Sequence, residues 1–110
     1  MKNFSFKYGE VNTDVVKVFC NRLISHVFKI LPMKEEQNST VIKHIESLNR
    51  EIHGMILLCN DTQISQSLLS VMAVLENITL EEDKSVYKSD IFKCITIIKK
   101  IVGDDIELQK

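Results

Sequence analysis

Three histidines, three cysteines and one acidic run are the residues in this chain whose types could do chemistry. Cys20, Cys59 and Cys94 are widely spaced and odd in number, and each falls on the apolar stripe of a predicted helix. Reduced thiols serving as small core residues fit that placement better than a disulfide, a metal cluster or a nucleophile. His44 and His53 are nine residues apart, so on one helix they point about 180° from each other and cannot chelate one ion together. His26 neighbours the stripe of the first helix. No His-Glu-x-x-His or Glu-x-x-His pattern exists, so a helical di-metal centre lacks its ligand set.

Nucleophilic catalysis needs a Cys or Ser beside a base that a third group orients. The cysteines are expected in the core, and no glycine-rich elbow surrounds a serine. With three glycines and neither a Walker-type nor a dinucleotide-binding glycine pattern, the chain has no loop to cradle phosphate. The run Glu81-Glu82-Asp83 reads as a solvated helix start. The expectation is therefore no enzyme, no cofactor and no metal site.

The global charge narrows the partners. With 14 basic and 15 acidic residues the net charge is −1, which favours neither nucleic acid nor an anionic membrane. Only Arg22 and Arg50 are arginines, whereas bidentate recognition of phosphate or guanine leans on that side chain. A helix-turn-helix reader would need an exposed basic recognition helix, yet Gln63 to Asn77 holds no Lys or Arg. A nucleic-acid-associated bundle stays only as the alternative reading. No apolar run approaches the roughly 18 residues of a membrane span, and no secretory signal is visible, so a cytoplasmic location is expected.

What positions these residues is a repeated helical rhythm. Val41, Ile45, Leu48, Ile52, Met55 and Cys59 are spaced by four, three, four, three and four, the seam of a coiled-coil-like bundle. Val16, Cys20, Leu23, Val27 and Ile30 form a stripe before it, widened by Phe19, Ile24, Phe28 and Leu31. Ile64, Leu68, Val71, Leu75 and Ile78 follow it, and then Tyr87, Ile91, Cys94, Ile98 and Ile101, flanked by Phe92. Pro32 is expected to end the first helix, because it lacks a donor and restricts the residue before it. Asp61 and Thr62 offer a break and a fresh cap before the third helix, and Thr79-Leu80-Glu81-Glu82 fits a capping box for the fourth, with Ser85 the other possible start. Past Met55 the second helix is apolar all round through Cys59, which predicts neighbours on several sides there.

These signals predict an all-α, antiparallel up-down-up-down four-helix bundle spanning 12–103, with helices near 13–31, 39–60, 62–77 and 80–102. Residues 1–11 form an extended N-terminal arm, in which Phe4, Phe6 and Tyr8 alternate with polar residues, and 104–110 form a charged tail. A lone strand leaves its backbone unsatisfied, so the arm either lies pinned on the bundle or pairs with a strand of another chain.

With chemistry set aside, the expectation is a small protein-interaction module, an accessory subunit or regulator of a larger complex, binding a protein partner or a second copy of itself. Apolar residues on the first and fourth helices spread wider than one stripe. Gly54 interrupts the second helix on its back face, where it costs about 1 kcal/mol relative to alanine. Phe4, Phe6, Tyr8, His53 and Gly54 are the candidate partner-binding residues. Abundant Ile, Lys and Asn with a single Ala hint at low-GC coding, and so at a bacterial defence, immunity or phage setting.

Overall fold

Four helices follow one another with short links: α1 (Thr13–Glu35), α2 (Val41–Leu58), α3 (Thr62–Leu80) and α4 (Lys84–Ile101). The structure is a computed structural model that describes the backbone of residues 3–6 and 9–101 and the side chains of 14–101. Each helix packs on its neighbour in sequence and α4 closes against α1, giving the up-down-up-down bundle. The α1/α2 contact is the thinnest of the four and α3/α4 the most extensive.

The stripes become the core. Cys20, Leu23, Val27, Ile30, Ile52, Val71, Leu75, Ile78, Ile91, Cys94 and Ile98 are completely shielded from solvent. Burying a Leu- or Ile-sized side chain is worth about 1.5–3 kcal/mol, so this seam supplies the main force for closure. The ends of the α2 stripe are looser, and Val41, Met55 and Cys59 are half-buried at its edge.

Several boundaries differ from the expected ones. Pro32 does not end α1; the helix carries it in the last turn and runs to Glu35. Proline removes one backbone donor, but the N–H groups beyond it still find carbonyls, with Glu36 bonding to Pro32 at 3.0 Å. The end is a six-to-one closure: Asn38 N–H donates to Met33 at 2.9 Å and Gln37 N–H to Lys34 at 3.1 Å. Gln37 occupies the left-handed position of this motif, with φ 55°. The side chain of Asn38 then accepts from the N–H and hydroxyl of Thr40, so α2 begins at Val41 and not at Ser39.

The third and fourth helices divide differently from the expectation as well. Thr79 does not cap α4. It lies inside α3, its hydroxyl bonding back to Leu75 O at 3.1 Å, and α3 runs on to Leu80. The cap of α4 is Asp83, whose Oδ1 accepts from the Ser85 N–H at 2.9 Å and the Ser85 hydroxyl at 2.8 Å. Asp61 caps α3 as its position suggested, accepting from Ile64 N–H at 3.1 Å. Cys59 stands at the C-cap of α2 in extended backbone, not inside the helix.

The arm satisfies its backbone in a third way. Strand β1 (Asn3–Phe6) pairs antiparallel with β2 (Gly9–Asn12) of the same chain, with Phe4 opposite Val11 and Phe6 opposite Gly9. The hairpin lies against α1. Tyr8, the expected stop at Gly103 and the tail 104–110 lie outside the described residues.

Candidate functional site

Of the residues singled out as partner contacts, His53 and Gly54 lie side by side on α2, while the side chains of Phe4 and Phe6 and the whole of Tyr8 lie outside what the structure describes. Phe4 and Phe6 belong to β1, whose hairpin lies against α1. His53 is exposed on α2, and a Cβ built on Gly54 would meet nothing within 4 Å. The back-face notch is therefore open space among the described residues. The all-apolar end of α2 also fails to acquire neighbours on every side: Leu57 is 65% exposed and Leu58 is 40% exposed.

The surplus apolar residues of α1 and α4 meet in a different place. Phe28 and Phe92 contact edge-to-face across the outer seam of these helices, ring centroids 5.9 Å apart. Both remain 44% exposed. Their helical positions, just off the buried stripes, leave the two rings as a shared apolar patch on the surface. The sequence marked both residues as widening their stripes, but not as partners.

At one end of the bundle the C-termini of α1 and α3 meet the N-termini of α2 and α4. An open cleft of about 570 Å³ there is lined by Lys34, Glu35, Gln37, Val41, Glu82, Lys84 and Tyr87, among others. Lys34 Nζ donates to Ile78 O at 2.6 Å and lies 5.0 Å from the centre of the Tyr87 ring. Burial lowers the Lys34 pKa, while Glu82 and Glu81 pull it back up. Lys84 pairs with Glu35 on the rim. Cations and carboxylates balance in this cleft, and its polar groups hold helix ends together. A first helix ending at Pro32 would put Lys34 in a link; the continuation of α1 to Glu35 puts it in the last helical turn. The signal that could have found it is its spacing from Ile30, one further step of four along the same stripe.

The second polar feature lies in the thin α1/α2 seam. His44 Nε2 donates to the backbone carbonyl of His26 at 2.8 Å, and the two imidazole centroids are 6.0 Å apart. A cleft of about 260 Å³ runs beside them, lined by His26, Lys29, His44, Ser47, Leu48 and Glu51. Arg22 Nη2 holds Glu51 Oε2 at 3.0 Å from across the seam. Glu51 Oε1 and Asn49 Oδ1 are buried with no hydrogen-bond partner among the described residues. Spacing within single helices could not reveal this pair, because the two histidines come from different helices 18 residues apart.

The thiols divide into two kinds. Burial pushes Cys20 and Cys94 up to about 12, so both stay protonated at neutral pH. Cys59 is half-buried, with its Sγ against the backbone of Asp61. No group of three or more His, Cys, Asp or Glu suited to a metal ion exists among the described residues. No helix among them is long and apolar enough to cross a membrane. Comparison of the chain with protein-family models, curated proteins and solved structures finds no match.

Proposed function

We propose that this chain is a non-catalytic protein-interaction module, an accessory subunit or regulator that acts by surface complementarity within a larger complex. The observation that carries this reading is the Phe28–Phe92 pair. Two large aromatics that belong to no core, paired edge-to-face across two helices and each 44% exposed, cost solvation unless something covers them. Phe side chains offer no hydrogen bond, so what they select is an apolar protein surface. The rigid α1/α4 frame holds them in place before binding, which limits the entropy lost on association.

The setting in a bacterial defence or phage system belongs to the same proposal and rests on the Ile-, Lys- and Asn-rich composition. The test is affinity capture from the native host with the wild-type chain and with Phe28→Ser/Phe92→Ser in parallel. A partner captured by the wild type and lost by the folded variant supports the reading. Equal capture by both would remove this patch as the interface. Light scattering at high concentration separates a foreign partner from a second copy of the chain.

A further inference from the structure

The net charge of −1 conceals an uneven distribution. Helix α4 carries five lysines against one aspartate, and α1 has no acidic residue between Asp14 and Glu35. Lys84 is held by Glu35, but Lys88, Lys93, Lys99 and Lys100 have no ion-pair partner among the described residues. Lys88, Phe92, Thr96 and Lys99 follow one another at spacings of four, four and three, so they share one stripe of α4 with Phe92 between two cations. Lys93 follows Phe92 and Lys29 follows Phe28, and both lysines are exposed. Asp90, the one acid of α4, is two positions before Phe92 and projects about 160° away from it. The edge-to-face pair is thus an apolar ridge set in a frame of lysines.

We infer, on the reading of the Phe28–Phe92 pair as an interface, that the α1/α4 face docks an acidic amphipathic segment of a partner protein. Its apolar residues cover the two rings, and carboxylates on either side of them meet Lys88 at one end and Lys93 and Lys99 at the other. Charges at such a rim steer the encounter and fix the register, while the rings supply the buried area. A second copy docked through the same face would set lysine against lysine, which disfavours a symmetric pair. Nucleic acid is gripped through flat ring faces and arginine, whereas these rings meet at 80° and Arg22 of α1 is held by Glu51. An anionic membrane takes up a broad apolar helix face, but the α4 stripe Tyr87, Ile91, Cys94, Ile98 and Ile101 is buried in the bundle.

The probe is a synthetic helical peptide with leucine at every third and fourth position and glutamate at the rest, beside a twin with lysine in place of glutamate. Titrated into the isotope-labelled chain at low salt, the glutamate peptide is expected to bind and to shift the signals of residues 25–29 and 88–100. The lysine twin is expected not to bind, and added salt should weaken the glutamate peptide. Lys88→Glu/Lys93→Glu, which changes two exposed side chains and should keep the helical signal, is expected to lose about tenfold or more in affinity. No binding of the glutamate peptide, equal binding of the twin, or equal binding by the folded charge-reversed variant overturns the inference. So does tighter binding, at the same salt, of an oligothymidylate or of phosphatidylserine vesicles. Affinity capture with the same variant keeps the two readings apart. A host protein lost by Phe28→Ser/Phe92→Ser but retained by Lys88→Glu/Lys93→Glu leaves the interface standing and removes the acidic partner, whereas loss from both supports it.

Discussion

Lys34 of α1 reaches across the bundle to donate to the carbonyl of Ile78, in the last turn of α3, at 2.6 Å. A helix C-terminus carries unsatisfied carbonyls and the negative end of the macrodipole, and a cation from another helix answers both. The same ammonium lies over the Tyr87 ring, at the start of α4. One side chain therefore joins three helix ends. Lys34→Met keeps most of the aliphatic stem and removes the charge and the donor. Chemical denaturation is expected to show a loss of about 1–2 kcal/mol, with unchanged slope. A variant as stable as the wild type would mean that the Glu81 N–H, which also bonds Ile78 O at 3.3 Å, suffices for this carbonyl.

Gln37 adopts φ 55°, a region that disfavours side chains with a Cβ. It holds the position in the α1 closure where glycine is most common. Gln37→Gly removes the steric cost while keeping both backbone bonds of the motif, at some cost in unfolded-chain entropy. The net expectation is a gain of about 0.5–1 kcal/mol in thermal or denaturant unfolding. Gln37→Val, with its branched Cβ, is expected to lose stability.

The stripes were legible because a spacing of four and three admits one reading, and nearly every stripe residue is in the core. Val41, Met55 and Cys59, towards the two ends of the α2 stripe, are the ones that sit at its edge. The boundaries were less legible because several polar residues competed for each cap. Asp83 and Thr79 are both good caps in isolation, and only the continuation of α3 to Leu80 decides between them. Pro32 misled because a proline in the final turn costs little when the following N–H groups close on carbonyls of that turn. Gly9-Glu10-Val11-Asn12 has Val11 as its single β-branched residue and no aromatic, too little to mark a strand, so the partner of β1 was hidden. The Phe28–Phe92 and His26–His44 pairs are contacts between helices, and periodicity within a helix says nothing about which side chains meet.

Gly54 separates the conformational reading of that residue from the steric one. It lies in the interior of α2, and an added methyl would meet nothing within 4 Å. Gly54→Ala is therefore expected to stabilise the free protein by about 1 kcal/mol, the propensity difference between the two residues. The unfolding midpoint measures this. Comparing partner affinity for the same variant then reports on close approach: unchanged binding would end the case for His53 and Gly54 as a contact.

The three thiols should behave as two classes. Cys20 and Cys94 are wholly shielded and held protonated to about pH 12, and the thiolate is the reactive form. At pH 8 a thiol reagent is expected to label one cysteine per native chain, Cys59, with the other two reacting only after denaturant is added. The same burial sets an alkaline limit on the fold. Unfolded thiols lose their protons near the ordinary value of 9.0, whereas the folded ones keep theirs to about 12. A folded value above the unfolded one stabilises fully below pH 9 and progressively less as pH rises towards 12. Denaturation midpoints measured across this window should therefore fall, and the Cys20→Ala/Cys94→Ala variant, less stable at pH 8 through lost packing, should show a shallower decline. An equally steep decline in that variant would place the alkaline sensitivity on other groups.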